Sequence, residues 1–249
     1  MRKKVIRISK LISHYGFCSR REAEKLINSG KVKINGKVIS DYTIDDDHIE
    51  NIEIENKKLI KPLSTRVWIM NKPPGYICSN RRQGSKKIIF DIIPQNIQRV
   101  VLVGRLDMYS EGLILLTSNP GLSSYLENPK NKISRKYIVE INELISEEMI
   151  KKVSSGIFIK DAYYNKMKIN MFKKLQKVFL QIELKEGKNR EIRNIVEFCG
   201  KKIKTLKRIS FGPFSLSSQK AGEINEVSSP ILQNKIKQLG LRVEDYFWL

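Results

Sequence analysis

The chain is poor in the residues that most metal and nucleophilic sites are built from. It has two histidines, His14 and His48, and three cysteines, Cys18, Cys78 and Cys199, in 249 residues. No two cysteines stand in C-x-x-C spacing, and an odd number argues against a disulfide framework. They read as buried or incidental thiols of a reducing cytoplasm. Two histidines argue against a His/Cys metal site and nearly exclude a Ser-His-Asp triad. Long apolar runs are missing too, and none approaches the roughly 20 residues needed to span a bilayer. The basic start Met1-Arg2-Lys3-Lys4 leads into no apolar signal core, so neither membrane insertion nor secretion is expected. Acidic residues are scarce: 26 Asp and Glu stand against 47 Lys and Arg, a net charge of +21. Such an excess goes beyond solubility and implies an anionic partner, most often nucleic acid. Whatever chemistry the chain performs must rest on carboxylate, lysine, tyrosine or arginine.

The basic charge is clustered. Residues 1–38 hold eleven Lys or Arg and two acids, Glu22 and Glu24, whereas residues 41–55 hold seven acids and no Lys or Arg. Residues 9–15 form a short helical segment ending before Gly16. Ser19 opens a second helix, with Glu22 three residues later in capping-box spacing, and Gly30 stops it. Residues 31–34 alternate as a strand, Asn35-Gly36 is a strong hairpin signal, and residues 37–39 return. Residues 49–55 alternate as one more strand. A basic helix pair beside a hairpin suits a phosphate-binding face, with Arg20, Arg21, Lys31 and Lys33 as its candidate nucleic-acid ligands. A solvated helix face would show some of the same charge, but not its one-sided count.

Residues 56–65 are polar, contain Pro62 and lack apolar periodicity, so they read as a linker. The expected domains are therefore 1–60 and 66–249. Beyond the linker, residues 66–70, 100–103, 112–117, 136–141, 178–184 and 203–211 read as strands. A short helix follows the Asn119-Pro120-Gly121 turn, another spans 146–155, and a third runs from Arg190 to Cys199, closed by Gly200. Mixed order without a strict βαβ repeat predicts an α+β fold with a mostly antiparallel sheet. Trp68 and Trp248 read as packing residues.

Three segments carry chemistry. In Gly104-Arg105-Leu106-Asp107, a short strand ends and Arg105 and Asp107 sit in the loop beyond it, where functional groups gather. On spacing alone, a local ion pair is the better explanation. Residues 185–208 hold nine basic residues and three acids, and Arg190 and Arg193, three apart, share one face near a helix N-terminus, a position that favours anions. Lys188 belongs to the same basic run. At Ser134-Arg135-Lys136-Tyr137, the tyrosine can stack on a base and offer its hydroxyl for proton transfer, or simply pack.

Taken in order, these segments resemble the RsuA/RluB group of pseudouridine synthases. Gly104-Arg105-Leu106-Asp107 with Ser110-Glu111-Gly112-Leu113 is similar to the family signature. Val67-Trp68-Ile69-Met70-Asn71-Lys72-Pro73-Pro74-Gly75 resembles its opening segment, Arg135-Lys136-Tyr137 its tyrosine motif, and Glu186-Gly187-Lys188-Asn189-Arg190-Glu191-Ile192-Arg193 its closing arginine motif. Residues 1–60 resemble the small RNA-binding domain named after a small-subunit ribosomal protein. The large-subunit branch looks nearest, on Asn189 to Arg193 and on Phe211-Gly212-Pro213-Phe214-Ser215-Leu216; Met108-Tyr109-Ser110 departs from the usual pattern.

The resemblance implies conversion of a uridine in ribosomal RNA, expected in the 23S species, to pseudouridine without cofactor or metal. It casts Asp107 as the essential carboxylate, Arg193 as its ionic partner, Tyr137 as the residue against the base, and Arg105 as a holder of RNA. Partners would be ribosomal RNA and pre-ribosomal particles, with no DNA and no membrane, for a cytoplasmic monomer. Two rivals stand beside this: the same chemistry on 16S RNA, and a non-catalytic ribosome-assembly factor. A DNA-binding regulator would need a recognition helix, and none is evident.

Overall fold

The structure, a computed structural model, describes residues 5–39, 41–45, 51–60, 64–97 and 99–241. Arg2, Lys3, Lys4, His48, Pro62, Trp248 and the first two residues of the strand expected at 49–55 lie outside these. The N-terminal part opens with β1 (Val5–Arg7) and α1 (Ile8–His14), followed by α2 (Arg20–Asn28). The capping box is formed: Ser19 N–H donates to Glu22 Oε2 at 2.8 Å, and Glu22 N–H to Ser19 Oγ at 3.3 Å. Asn35 and Gly36 both take positive φ, 50° and 75°, as a two-residue hairpin between β2 (Val32–Ile34) and β3 (Lys37–Val38) requires. Then come β4 (Thr43–Asp45), β5 (Ile52–Ile54) and β6 (Lys57–Lys58). The sheet order β3-β2-β5-β6 and helices α1 and α2 enclose a small core of Ile8, Ile12, Ala23, Ile27, Val32, Ile52 and Ile54.

One sequence expectation is corrected here. The presumed linker at 56–65 is half structure: β6 pairs with β5, and Leu59 is buried in the small core. A two-residue strand and three scattered apolar residues, Leu59, Ile60 and Leu63, leave no periodicity to read. Thr65, at the far end, is buried as well and accepts a hydrogen bond from Asn119 Nδ2 at 2.9 Å.

The larger part begins with β7 (Val67–Lys72), β8 (Val101–Val103) and β9 (Glu111–Thr117). Next are α3 (Pro120–Glu127), β10 (Arg135–Ile141) and α4 (Glu147–Ser154). The hairpin of β11 (Ile157–Ile159) and β12 (Ala162–Tyr164) precedes β13 (Lys168–Lys174) and β14 (Lys177–Leu184). The chain closes through α5 (Glu191–Phe198), β15 (Ile203–Phe211), β16 (Phe214–Ser215), β17 (Ile224–Glu226) and α6 (Ser229–Gln238). One sheet runs in the order β13-β14-β10-β15-β9-β7-β17, with β8 beside β9 and β16 beside β15.

Every pairing in that sheet is antiparallel except β15 with β9, which is parallel and joined only at Lys207 with Glu111 and Arg208 with Gly112. This junction divides the sheet into two halves. Val139, Leu180, Ile182 and Ile195 fill the core on one side; Val103, Leu115, Phe211 and Phe214 fill it on the other. Gly112 makes the close approach possible. At φ +98°, a Cβ there would stand 2.3 Å from the Arg208 carbonyl oxygen. The fold is thus α+β with a mostly antiparallel sheet, as the sequence pattern predicts. Arg99 Nη1, in the larger part, donates to Gly16 O of the smaller at 2.6 Å.

Candidate active site

A cleft of about 570 Å³ opens at the junction of the two half-sheets. Its walls come from the loop after β8, from β10, from the turn before α5 and from β15. Asp107 stands in that loop, two residues after Arg105. Its side chain is 37% exposed, enough to meet a ligand. Arg193 Nε donates to Asp107 Oδ2 at 3.2 Å, and Arg193 Nη2 donates to Ser110 Oγ at 3.0 Å. Arg190 Nη1 lies 4.0 Å from the same Asp107 oxygen. One carboxylate therefore faces two guanidiniums, one of them fixed by a second hydrogen bond.

The sequence places Arg190 inside the helix, and the structure does not. Helix α5 begins at Glu191, and Arg190 is its N-cap in the left-handed conformation at φ 54°. The kink, rather than a shared helix face, turns Arg190 toward Asp107. Tyr137 lines the cleft and is otherwise buried, at 8% exposure, packing beside Leu106. Arg105 is exposed at the mouth. Lys188 also lines the cleft, but its ammonium is engaged: it donates to Glu186 Oε2 at 3.0 Å and to Tyr163 O, above the Tyr164 ring. Arg20, Arg21, Lys31 and Lys33 stand apart on the N-terminal part. Arg20 and Arg21 are exposed on the first turn of α2, whereas Lys31 pairs with Glu55 and Lys33 donates to Asn56.

Sequence reasoning missed the groups that hold this loop. Lys72 is wholly buried, and the three N–H groups of its ammonium are shared among four backbone oxygens within hydrogen-bond distance: Ser110 at 2.8 Å, Pro73 at 3.1 Å, Met108 at 3.2 Å and Asp107 at 3.3 Å. Burial lowers its pKa, opposed by Cys78, Asp107 and Glu111. A lysine ending the apolar run Val67-Trp68-Ile69-Met70 was the available signal. Arg135 and Arg208, both buried, stack on the Phe211 ring at 4.5 and 5.2 Å. Arg208 Nε donates to Leu113 O at 2.7 Å, and Arg135 Nη1 to Glu186 O at 3.0 Å. Cys78 is not incidental. It lines the cleft and accepts from Leu106 N–H at 3.3 Å, and burial pushes its thiol pKa up.

Residues 66–198 match the RNA pseudouridylate synthase family, and residues 6–43 match the S4 domain. An uncharacterised RNA pseudouridine synthase of Rickettsia conorii is 37% identical over 92% of this chain and 99% of its own length. The ribosomal large subunit pseudouridine synthase B of Buchnera aphidicola is 33% identical over 95% and 98%. Its namesake in Bacillus subtilis is 30% identical over 89% and 92%. A crystal structure of a pseudouridylate synthase superposes with a TM-score of 0.65 at 24% identity, covering 94% of this chain and 99% of that one, which speaks for the fold. A family match over both parts, in the order the motifs run, and relatives aligned almost end to end place this chain among the RsuA/RluB-type RNA pseudouridine synthases.

Proposed function

We propose that this enzyme isomerises one uridine of large-subunit (23S) ribosomal RNA, with Asp107 as the essential carboxylate and no cofactor. The observation that carries the reading is the Asp107 carboxylate, held at 3.2 Å by Arg193 yet open to a cleft sized for a nucleotide. The large-subunit assignment is supported by the names of the Buchnera and Bacillus relatives.

The geometry fits the steps. The N-glycosidic bond breaks, the base rotates, and a C-glycoside forms. Arg193 at 3.2 Å and Arg190 at 4.0 Å hold the Asp107 carboxylate in place while it meets the sugar. Tyr137, in the wall, lies against the base and helps move its proton. Arg105 at the mouth takes a phosphate of the flanking chain. The uridine must leave its stack, at a cost of a few kcal/mol, which phosphate contacts offset. In this reading, residues 1–60 grip RNA and 66–249 do the chemistry. The enzyme acts as a cytoplasmic monomer on ribosomal RNA or pre-ribosomal particles.

The test is a pseudouridine map of ribosomal RNA from cells lacking the gene, complemented with wild type or Asp107→Asn. One 23S site should vanish, return with wild type and stay absent with the variant. A lost site in 16S RNA would move the substrate, and a site restored by Asp107→Asn would remove Asp107 from its role.

A further inference from the structure

Glu191 opens α5 and is 4% exposed. Its Oε2 accepts from Lys188 N–H at 3.0 Å, while its own N–H donates to Lys188 O at 3.2 Å. Those two bonds staple the turn that carries Arg190 and leads into Arg193. The other oxygen, Oε1, is buried and receives no hydrogen bond from the described residues. A second acid acts on it: Glu186 and Glu191 are both tied to Lys188, the first by its ammonium at 3.0 Å and the second by its backbone N–H at 3.0 Å, and the charge of Glu186 raises Glu191. Glu186 is already well supplied. Its Oε1 accepts from Asn165 N–H at 2.7 Å, and its Oε2 from Asn165 Nδ2 at 2.6 Å and Lys188 Nζ at 3.0 Å.

Two ionised carboxylates on one turn, both held by Lys188 and one of them buried, repel, so one of them keeps its proton. Glu186 has three donors and suits the charge; Glu191 has one and suits the neutral form. A proton on Glu191 turns its carboxyl into a donor, and the orphaned Oε1, which accepts nothing, is the oxygen suited to carry it.

We infer that Glu186 and Glu191 share one proton, and that this proton locks the 186–193 turn so that Arg190 and Arg193 stay in reach of Asp107. Both glutamates are then positioning residues, a role that rests on Asp107 being the reacting carboxylate. Burial, and then the charge of Glu186, push Glu191 up to about 8. Burial alone would raise Glu186, but hydrogen bonds from Asn165, Lys188 and Glu191 bring it below the ordinary value. The charged groups around the pair are Lys188 on the same turn and Arg135 on β10, with Tyr137, Glu127 and Arg208 acting on Arg135. Raising the pH past about 8 removes the shared proton, sets two negative charges together and loosens the turn.

The test uses the full chain, wild type, Glu191→Gln and Glu191→Ala. Glutamine can donate to Glu186 and still accept from Lys188, so Glu191→Gln should keep kcat near wild type at neutral pH and lose the alkaline fall. Glu191→Ala should lower kcat roughly 10- to 100-fold, as loss of a supporting partner does, with KM changed less. Stability gives a second readout. Between the ordinary carboxyl pKa and about 8, only the folded state holds the Glu191 proton, so wild-type stability falls as pH rises through that window. The Tm gap in favour of Glu191→Gln should widen from pH 5 to 8 and then level. Carbon-13 NMR of glutamate carboxyls in the RNA-free protein reads the pair directly, with Glu191→Gln identifying the signal. A midpoint near 8 supports the shared proton, and one near 4.5 overturns it. An alkaline fall in kcat that persists unchanged in Glu191→Gln overturns the positioning role. If wild type modifies no RNA at all, the proposed function fails, while the NMR midpoint and the Tm gap still decide the pair.

Discussion

Lys31 in the N-terminal part and Arg193 in the cleft each meet one carboxylate, and the shorter contact is the weaker device. Lys31 Nζ lies 2.7 Å from Glu55 Oε1, with the two side chains 52% and 48% exposed. Arg193 Nε lies 3.2 Å from Asp107 Oδ2, but Arg193 is only 19% exposed and its second nitrogen is tied to buried Ser110. Water and salt compete freely for the first pair, and two mobile side chains must be ordered to make it. The second pair is geometrically over-determined: the arginine is fixed on a helix, and the loop it meets is fixed from below by Lys72. Distance alone does not rank ion pairs; what fixes each partner does.

The sharpest break of this comparison is Arg193→Ala. It should lower kcat roughly 100- to 1,000-fold, the cost of removing one preorganised charge-stabilising donor, and change RNA affinity less than about threefold. Single-turnover kinetics beside filter binding separates the two, and an affinity loss matching the rate loss would make Arg193 an RNA ligand instead. Lys72→Met comes next. It takes the ammonium from four carbonyls, of which Asp107 O and Met108 O keep the N–H groups of Ser110 and Gly75 while Pro73 O and Ser110 O lose their donor, costing about 3 kcal/mol and lowering Tm by roughly 5–10 °C. A thermal melt with Tm unchanged would mean the loop holds itself. The smallest effect belongs to the exposed cations. Arg20→Ala with Arg21→Ala should reduce the slope of log affinity against log salt by about 2, one per freed phosphate contact. Lys31→Ala with Lys33→Ala should reduce it by less, because those ammoniums already serve Glu55 and Asn56. Equal slopes for the two double variants would mean that RNA displaces both partners.

What could be read from the chain follows the same division between local and distant causes. The Ser19–Glu22 capping box and the Asn35-Gly36 turn depend on residues within four positions, and both formed as read. Asp107, Tyr137, Arg190 and Arg193 were legible as separate motifs, and folding brings all four to one cleft. Strand β13 was not legible. It is a sheet edge with exposed Lys168, Lys173 and Lys174, so its alternation is shallow. Helix α6 carries Pro230 in its first turn and a weak apolar stripe of Leu232 and Ile236. Lys72 was passed over because its four acceptors are backbone oxygens, and its chain neighbours do not announce where its ammonium will go. Glu191 was invisible for a similar reason: its partner's charge state depends on donors such as Asn165, 21 residues before Glu186.

The buried ammonium of Lys72 also makes the enzyme report on itself. The chain is rich in surface lysines that an acylating reagent reaches at once. Lys72 has no exposed surface, and its nitrogen is wrapped by carbonyls of the Asp107 loop. Acylation there must wait until that loop lifts. The rate at which Lys72 becomes labelled, set against its neighbours on the surface, therefore counts the openings of the reactive loop in the intact protein, with no substrate, no mutation and no probe built in.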